Sequence, residues 1–192
     1  MALLRRTIGG LAGLLIFPCL GWASAGIDAS PLPPPSITHT ITGVPFFPQK
    51  EYRCGPASLA SVLAYWGEEV SLEALTDEVY LPKLKGALPL DLERAARARG
   101  LDVQTYRGGL ADLRNHIALD HPVIAFLNLG SRIFPNGHFI VVTGYNDRDR
   151  KIFAHSITEP NKAVAYDEFV EGWAKTDFWM LLIHPKGPDE TP

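Results

Sequence analysis

Apolar residues change their period along this chain near residue 120. Before that point they recur at helical spacing. Leu59, Val62, Leu63 and Trp66 fall at i, i+3, i+4 and i+7, which predicts a helix from about Gly55 to Trp66, with Pro56 in its first turn and Gly67 ending it. Ser71 is placed to cap a second helix carrying Leu72, Leu75 and Val79. "LDLERAARAR" predicts a third, stopped by Gly100, and Leu110 to Leu119 a fourth. Beyond residue 120 the runs are short, β-branched and aromatic: "PVIAFLNL", "HFIVVTGY", "KIFAHS" and "FWMLLIH", separated by Gly130, Asn136-Gly137 and "NDRDR". These predict strands of one antiparallel sheet, with "DVQTY" as an edge strand and "YDEFVEGWAK" as a short helix between the last two strands. Helices first and strands later predict an α+β fold, its helical layer packed on one side of the sheet.

The ends read differently. "MALLRRTIGGLAGLLIFPCLGWASAG" joins two arginines, an apolar run and Ala23-Ser24-Ala25, the pattern of a secretory signal over residues 1–25. A proline-rich linker over 26–40, a folded domain over 41–186 and a polar tail over 187–192 follow. The apolar run is shorter than the roughly 20 residues that span a bilayer. The expectation is therefore a periplasmic or secreted protein with no membrane span in its mature form, a lipid anchor on Cys19 being the alternative.

Cleavage changes charge and cysteine content. Of 18 basic residues Arg5 and Arg6 are lost, leaving 16 against 21 acidic ones, so the net charge moves from −3 to −5 and nucleic acid is an unfavourable partner. Cys19 is lost too. Cys54 then stands alone, and an unpaired thiol in an exported protein needs a reason.

Cys54 stands where the first helix begins, and backbone N–H groups at a helix N-terminus favour a thiolate. Gly55 lets the backbone pass close to a substrate. The alternative is a small buried packing residue. His138, after the Asn136-Gly137 turn at the mouth of an apolar strand, is the candidate base that takes the thiol proton and returns it to a leaving group. Gln49, five residues before Cys54, is placed for its amide and the Cys54 N–H to converge on an oxyanion. No second mature cysteine and no His-Glu-x-x-His spacing exists, which argues against a metal site.

The segment "VPFFPQKEYRCGPASLASVLAYWG" resembles the active-site segment of the C39 family of papain-like cysteine peptidases, "PVIAFLNLG…GHFIVVTGYND" its histidine strand and "YDEFVEGW" its closing helix. The resemblance covers roughly residues 42 to 184. It implies a papain-like fold and a Cys54/His138 mechanism with Gln49 in the oxyanion hole and no metal or organic cofactor. Best-known members cut leader peptides after a double glycine while fused to a transporter; this chain is more similar to the small, exported, stand-alone C39-like proteins. In one place the pattern breaks. Where the family has an Asp, usually followed by Pro, to orient the imidazole, this chain has His155-Ser156. Ser156 is the favoured third member, with His155, Asn146 and Asp147 as alternatives, and a neutral partner would weaken a Cys54/His138 ion pair.

The leading expectation is thus an exported cysteine peptidase acting on a peptide or protein substrate, in association with an export system. A papain-like acyltransferase or transpeptidase shares the first chemical step, and a non-catalytic peptide-binding module shares the fold. Specificity is expected to lie in the loops "YLPKLKGALPL" and "LGSRIFPN".

Overall fold

The computed structural model describes residues 37–48 and 52–187. The predicted signal segment, most of the proline-rich linker, Gln49 and residues 188–192 lie outside the described residues. The elements run β1 (Thr38–Thr40), α1 (Cys54–Tyr65), α2 (Leu72–Val79), α3 (Pro89–Ala98), β2 (Asp102–Arg107), α4 (Leu110–Ala118), β3 (Val123–Asn128), β4 (Gly137–Asn146), β5 (Lys151–His155), β6 (Lys162–Ala165), α5 (Tyr166–Ala174) and β7 (Trp179–His184). The strands form one antiparallel sheet in the order β2-β7-β3-β4-β5-β6, with β1 also paired to β4. The α+β class, the edge position of β2 and the Ser71 cap are as read from the sequence. The Ser71 hydroxyl accepts the Ala74 N–H at 3.2 Å.

The helices do not lie on one side of the sheet. Phe139 and Val141 of β4 join Leu59, Val62 and Leu63 of α1, with Leu75 of α2 and Leu92 of α3, in one core. Ile140 and Val142 face a second core built from Leu113 and Ile117 of α4 and Phe169 and Trp173 of α5. A strand buried on both faces reads as a continuous apolar run, so its sequence carries no alternation to show that both sides are covered. Helix α1 is more enclosed than its apolar stripe suggests. Every residue from Gly55 to Leu63 is buried, because Ala57, Ser58, Ala60 and Ser61 are small enough for neighbours to close over the remaining faces.

Two strands escape the sequence pattern. β6 is four residues long, and β1 is a polar Thr-His-Thr segment with no alternation to detect. β1 corrects the predicted domain boundary: residues 38–40 belong to the sheet, not to the linker. They are held by pairing of His39 with Tyr145 in β4, by the Thr38 hydroxyl donating to Tyr145 O at 3.1 Å, and by the fully packed Ile41 that follows. The approach is close because position 144 has no side chain. A Cβ on Gly144 would lie 2.8 Å from His39 O and 2.9 Å from Thr40 Oγ1. No helix among the described residues is long and apolar enough to cross a membrane.

Gly144→Ala is expected to push β1 off β4 and to lower stability by about 1–3 kcal/mol. Urea unfolding, with hydrogen exchange at the Ile41 amide that bonds Thr143 O at 2.8 Å, reads the effect. An unchanged midpoint and an unchanged exchange rate would show that β1 is not held this closely.

Candidate active site

Cys54 is the first residue of α1. The residue before it, Arg53, offers no side-chain cap, and no acidic residue occupies the first turn, so the positive end of the helix faces the thiol uncompensated. The Phe139, Gly55 and Cys54 backbone N–H groups all bear on the sulfur and favour the thiolate. Burial acts in the opposite sense and prevails, pushing the Cys54 thiol above its ordinary value. The helix terminus therefore positions the sulfur without ionising it, contrary to the thiolate expected from sequence position.

A close helix-to-loop contact fixes that position. A Cβ on Gly55 would lie 2.8 Å from the Ala87 Cβ, so only glycine lets residues 81–88 close over the helix start.

His138 is the second residue of β4 and pairs with Leu127 of β3. On its other side β4 is paired with β5 only from Val141 onward, so the His138 end of the strand is uncovered there. His138 is 8 % exposed, and burial alone moves its pKa down to about 4. No acidic group offsets the shift. A carboxylate against the ring would raise the value, so the low pKa is the electrostatic counterpart of the missing family Asp. Among the described residues, neither the Cys54 thiol nor the His138 ring is hydrogen-bonded to another side chain. The two groups are brought together as walls of one cavity.

The candidates for a third member separate clearly. Asn146 and Asp147 are not brought to His138: Asn146 ends β4, about 26 Å from His138 at the usual rise per residue. There Asn146 donates to Asp149 at 2.8 Å, and Asp147 accepts from the Tyr166 hydroxyl at 2.6 Å and pairs with Arg114 at 2.6 Å. His155 is buried with both ring nitrogens engaged. Nε2 lies 3.1 Å from Val44 O, and Nδ1 accepts the Asn161 N–H at 3.2 Å. It ties β5 to the chain that leads into α1. Ser156 follows the end of β5, its backbone N–H bonded to Glu159 O at 3.0 Å, and Ile157 next to it lines the cavity. Gln49 lies outside the described residues.

The cavity that Cys54 and His138 share has a volume of about 760 Å³. Leu84 and Lys85 from one of the loops singled out in the sequence, and Leu129 and Pro135 from the other, contribute to its walls. Exposed apolar side chains gather at this opening. Tyr52, Leu84, Leu88, Leu129 and Ile157 line it, and Ile133 and Phe134 stand 81% and 79% exposed on the same loop as Leu129. These side chains form a clustered apolar rim around the opening rather than scattered surface residues. The Phe139 N–H and Ile157 had no sequence signal, since a backbone donor and a loop residue after a strand show no pattern. Among the described residues, no group of three or more His, Cys, Asp or Glu side chains is placed to hold a metal ion.

Comparison with solved structures gives the same architecture. The chain is 24% identical to a double glycine motif protease from an AMS/PCAT transporter, solved in complex with the leader peptide, over 77% of this chain and 99% of that one, with a TM-score of 0.59. The peptidase domain of Streptococcus ComA, a bi-functional ABC transporter of a quorum-sensing pathway, is 22% identical over 75% of this chain and 100% of its own, with a TM-score of 0.61. Xylellain, a cysteine protease from Xylella fastidiosa, is 12% identical over 81% of this chain and 87% of its own, with a TM-score of 0.57. No curated protein is significantly similar in sequence. At these identities the likeness establishes the papain-like α+β fold. The Peptidase_C39 like family matches residues 41–179, nearly the whole folded part, and the chain belongs to that family.

Proposed function

We propose that the protein is a cysteine peptidase that cleaves a peptide bond through Cys54 and His138. The observation that carries this reading is the shared cavity, with a thiol at an uncapped helix start and a buried, neutral imidazole on its walls. In the resting state both groups are uncharged. As the sulfur attacks the scissile carbonyl, His138 takes the thiol proton, and negative charge develops on the carbonyl oxygen beside the Cys54 N–H, with the Gln49 amide as the second donor. The imidazolium then protonates the departing amine, and the C–N bond breaks to leave a thioester on Cys54. Water, deprotonated by the neutral His138, hydrolyses the thioester and restores the thiol. Ser156 is the proposed orienting partner of His138, its hydroxyl oxygen accepting the ring N–H. The substrate is a peptide whose apolar residues meet the exposed rim of the cavity, delivered outside the cytoplasm if residues 1–25 act as an export signal.

A second reading is favoured by one observation: among the described residues no side chain is hydrogen-bonded to the His138 ring to orient it toward Cys54. Under it, the protein binds a peptide and does not cut it.

Cys54→Ala is expected to abolish turnover of a positional peptide library while leaving the unfolding midpoint nearly unchanged. His138→Ala should lower kcat by about 100-fold or more. Gln49→Ala should reduce kcat by a few kcal/mol of transition-state stabilisation, with little effect on KM. Full turnover in the Cys54 variant would remove the thiol from the reaction, and no turnover in the wild type would favour the binding module.

The pH dependence follows from the two shifts. His138 has its pKa lowered to about 4, so its basic form predominates above that value. The acid limb of kcat/KM should fall through pH about 4 rather than through the ordinary imidazole value of about 6.5. The Cys54 thiol is raised, so iodoacetamide should label it more slowly at pH 7 than it labels free cysteine, with the rate still climbing above pH 9. Labelling that is as fast at pH 6 as at pH 8 would reveal a standing thiolate.

A further inference from the structure

A second cavity, of about 490 Å³, adjoins the first and shares Phe126, Pro135 and Gly137 with it. Its wall carries Arg107, Lys175 and Asp177 beside the aromatic faces of Phe126 and Trp179. We infer that this cavity is a carboxylate-accepting subsite for the peptide cut at Cys54, in which Arg107 and Lys175 receive an acidic group. The inference rests on the peptidase reading and names the class of substrate: an apolar peptide with an acidic side chain, or a free C-terminal carboxylate, close to the scissile bond.

Charge balance is the first argument. Among the described residues the first cavity has Lys85 and no acidic residue on its walls, and the second has two cations against one carboxylate. Among the described residues the walls of the two cavities therefore hold more cations than carboxylates, in a chain whose net charge is −3. A local field of sign opposite to the whole molecule selects a ligand with the complementary charge.

Donor availability is the second. Arg107 ends β2 opposite Trp179 and comes no nearer to Asp177 than 3.7 Å, at Nε, which is too long for a hydrogen bond, so its guanidinium donors remain for a carboxylate ligand. Lys175 donates to Gly130 O at 3.3 Å and to Glu171 at 3.0 Å. The ammonium has three donors, and the partner Glu171 is largely exposed, so a third bond is open and the existing pair is weak. Lys175 also stands at the C-cap of α5 and bonds Gly130 O on the loop that carries Leu129 and Pro135, so its ammonium is tethered on the wall of the second cavity.

Backbone strain is the third. Asp177 and Phe178 hold φ values of 55° and 57°, a left-handed pair that costs free energy in non-glycine residues, above all in phenylalanine. The turn they form joins α5 to β7. It brings Thr176, Asp177 and Trp179 together on the wall of the second cavity, while Phe178 packs edge-on against Trp173.

The test uses N-acetylated, C-amidated decapeptides with apolar residues throughout and either Glu or Gln at each position in turn. In the wild type, Glu should be preferred over Gln at one position near the cut, by about fivefold in kcat/KM for each charge it meets, and the preference should fade with added salt. Arg107→Gln and Lys175→Gln should each shrink that Glu/Gln ratio, and the double variant should bring it near one. The same peptides with free C-terminal carboxylates decide whether the acidic group is a side chain or the chain end. Binding of labelled peptides to Cys54→Ala protein, read by fluorescence anisotropy, gives the Glu/Gln discrimination without chemistry. Discrimination in binding with no turnover in the wild type overturns the peptidase reading and keeps the subsite. Equal binding and turnover of Glu and Gln peptides, or a preference that survives the double variant, overturns the subsite.

Discussion

Helix α1 is packed on every side from Gly55 to Leu63, and a helix enclosed in this way has one position along its own axis. Small residues on the faces outside its apolar stripe make the enclosure possible, and Gly55 extends it to the first turn by admitting Ala87 at contact distance. The N-terminus cannot drift, and Cys54 is held where the uncapped amides and the Phe139 N–H converge. The same enclosure has an electrostatic consequence. It removes water from the thiol, and that loss outweighs three favourable backbone dipoles, so positioning and ionisation of the sulfur are opposed in this fold.

A similar trade governs the imidazole. At the strand end where the family pattern puts a carboxylate, His155 spends both ring nitrogens on backbone atoms, clamping β5 to the segment that enters α1. That contact supplies no negative charge to His138. Burial is then unopposed at His138, and its ring stays neutral down to a pH of about 4. A neutral thiol facing a neutral base is a coherent arrangement for proton transfer during attack, where charge appears only as the carbonyl is engaged. It also suits a cleft whose remaining charges are mostly cations.

Periodicity carried much of the fold. The 59, 62, 63, 66 spacing marked α1, and the four β-branched runs became β3, β4, β5 and β7, because those elements are long enough for their burial to set a pattern. What stayed hidden has physical reasons. β1 and β6 are short strands held by backbone bonds, which leave little trace in side-chain order. The second helical layer was masked because residues 139–142 of β4 are buried on both faces. At the site, Cys54 and His138 stood out by residue type and by their places at element starts. The sign of their ionisation did not, since burial is a property of what packs around a group and not of its neighbours in sequence. Asn146 and Asp147 lie in the turn next to the histidine strand in sequence, but the length of β4 carries them far beyond hydrogen-bond reach of His138.

A Cys54/His138 pair that rests uncharged shows itself in the protonation state of the His138 ring. Ring ¹⁵N chemical shifts of His138 should report a neutral imidazole at pH 6 that takes up its proton near pH 4, with the same titration in Cys54→Ala protein. An imidazolium at pH 6 to 7 that becomes neutral when Cys54 is replaced would demonstrate a thiolate–imidazolium ion pair and contradict the account.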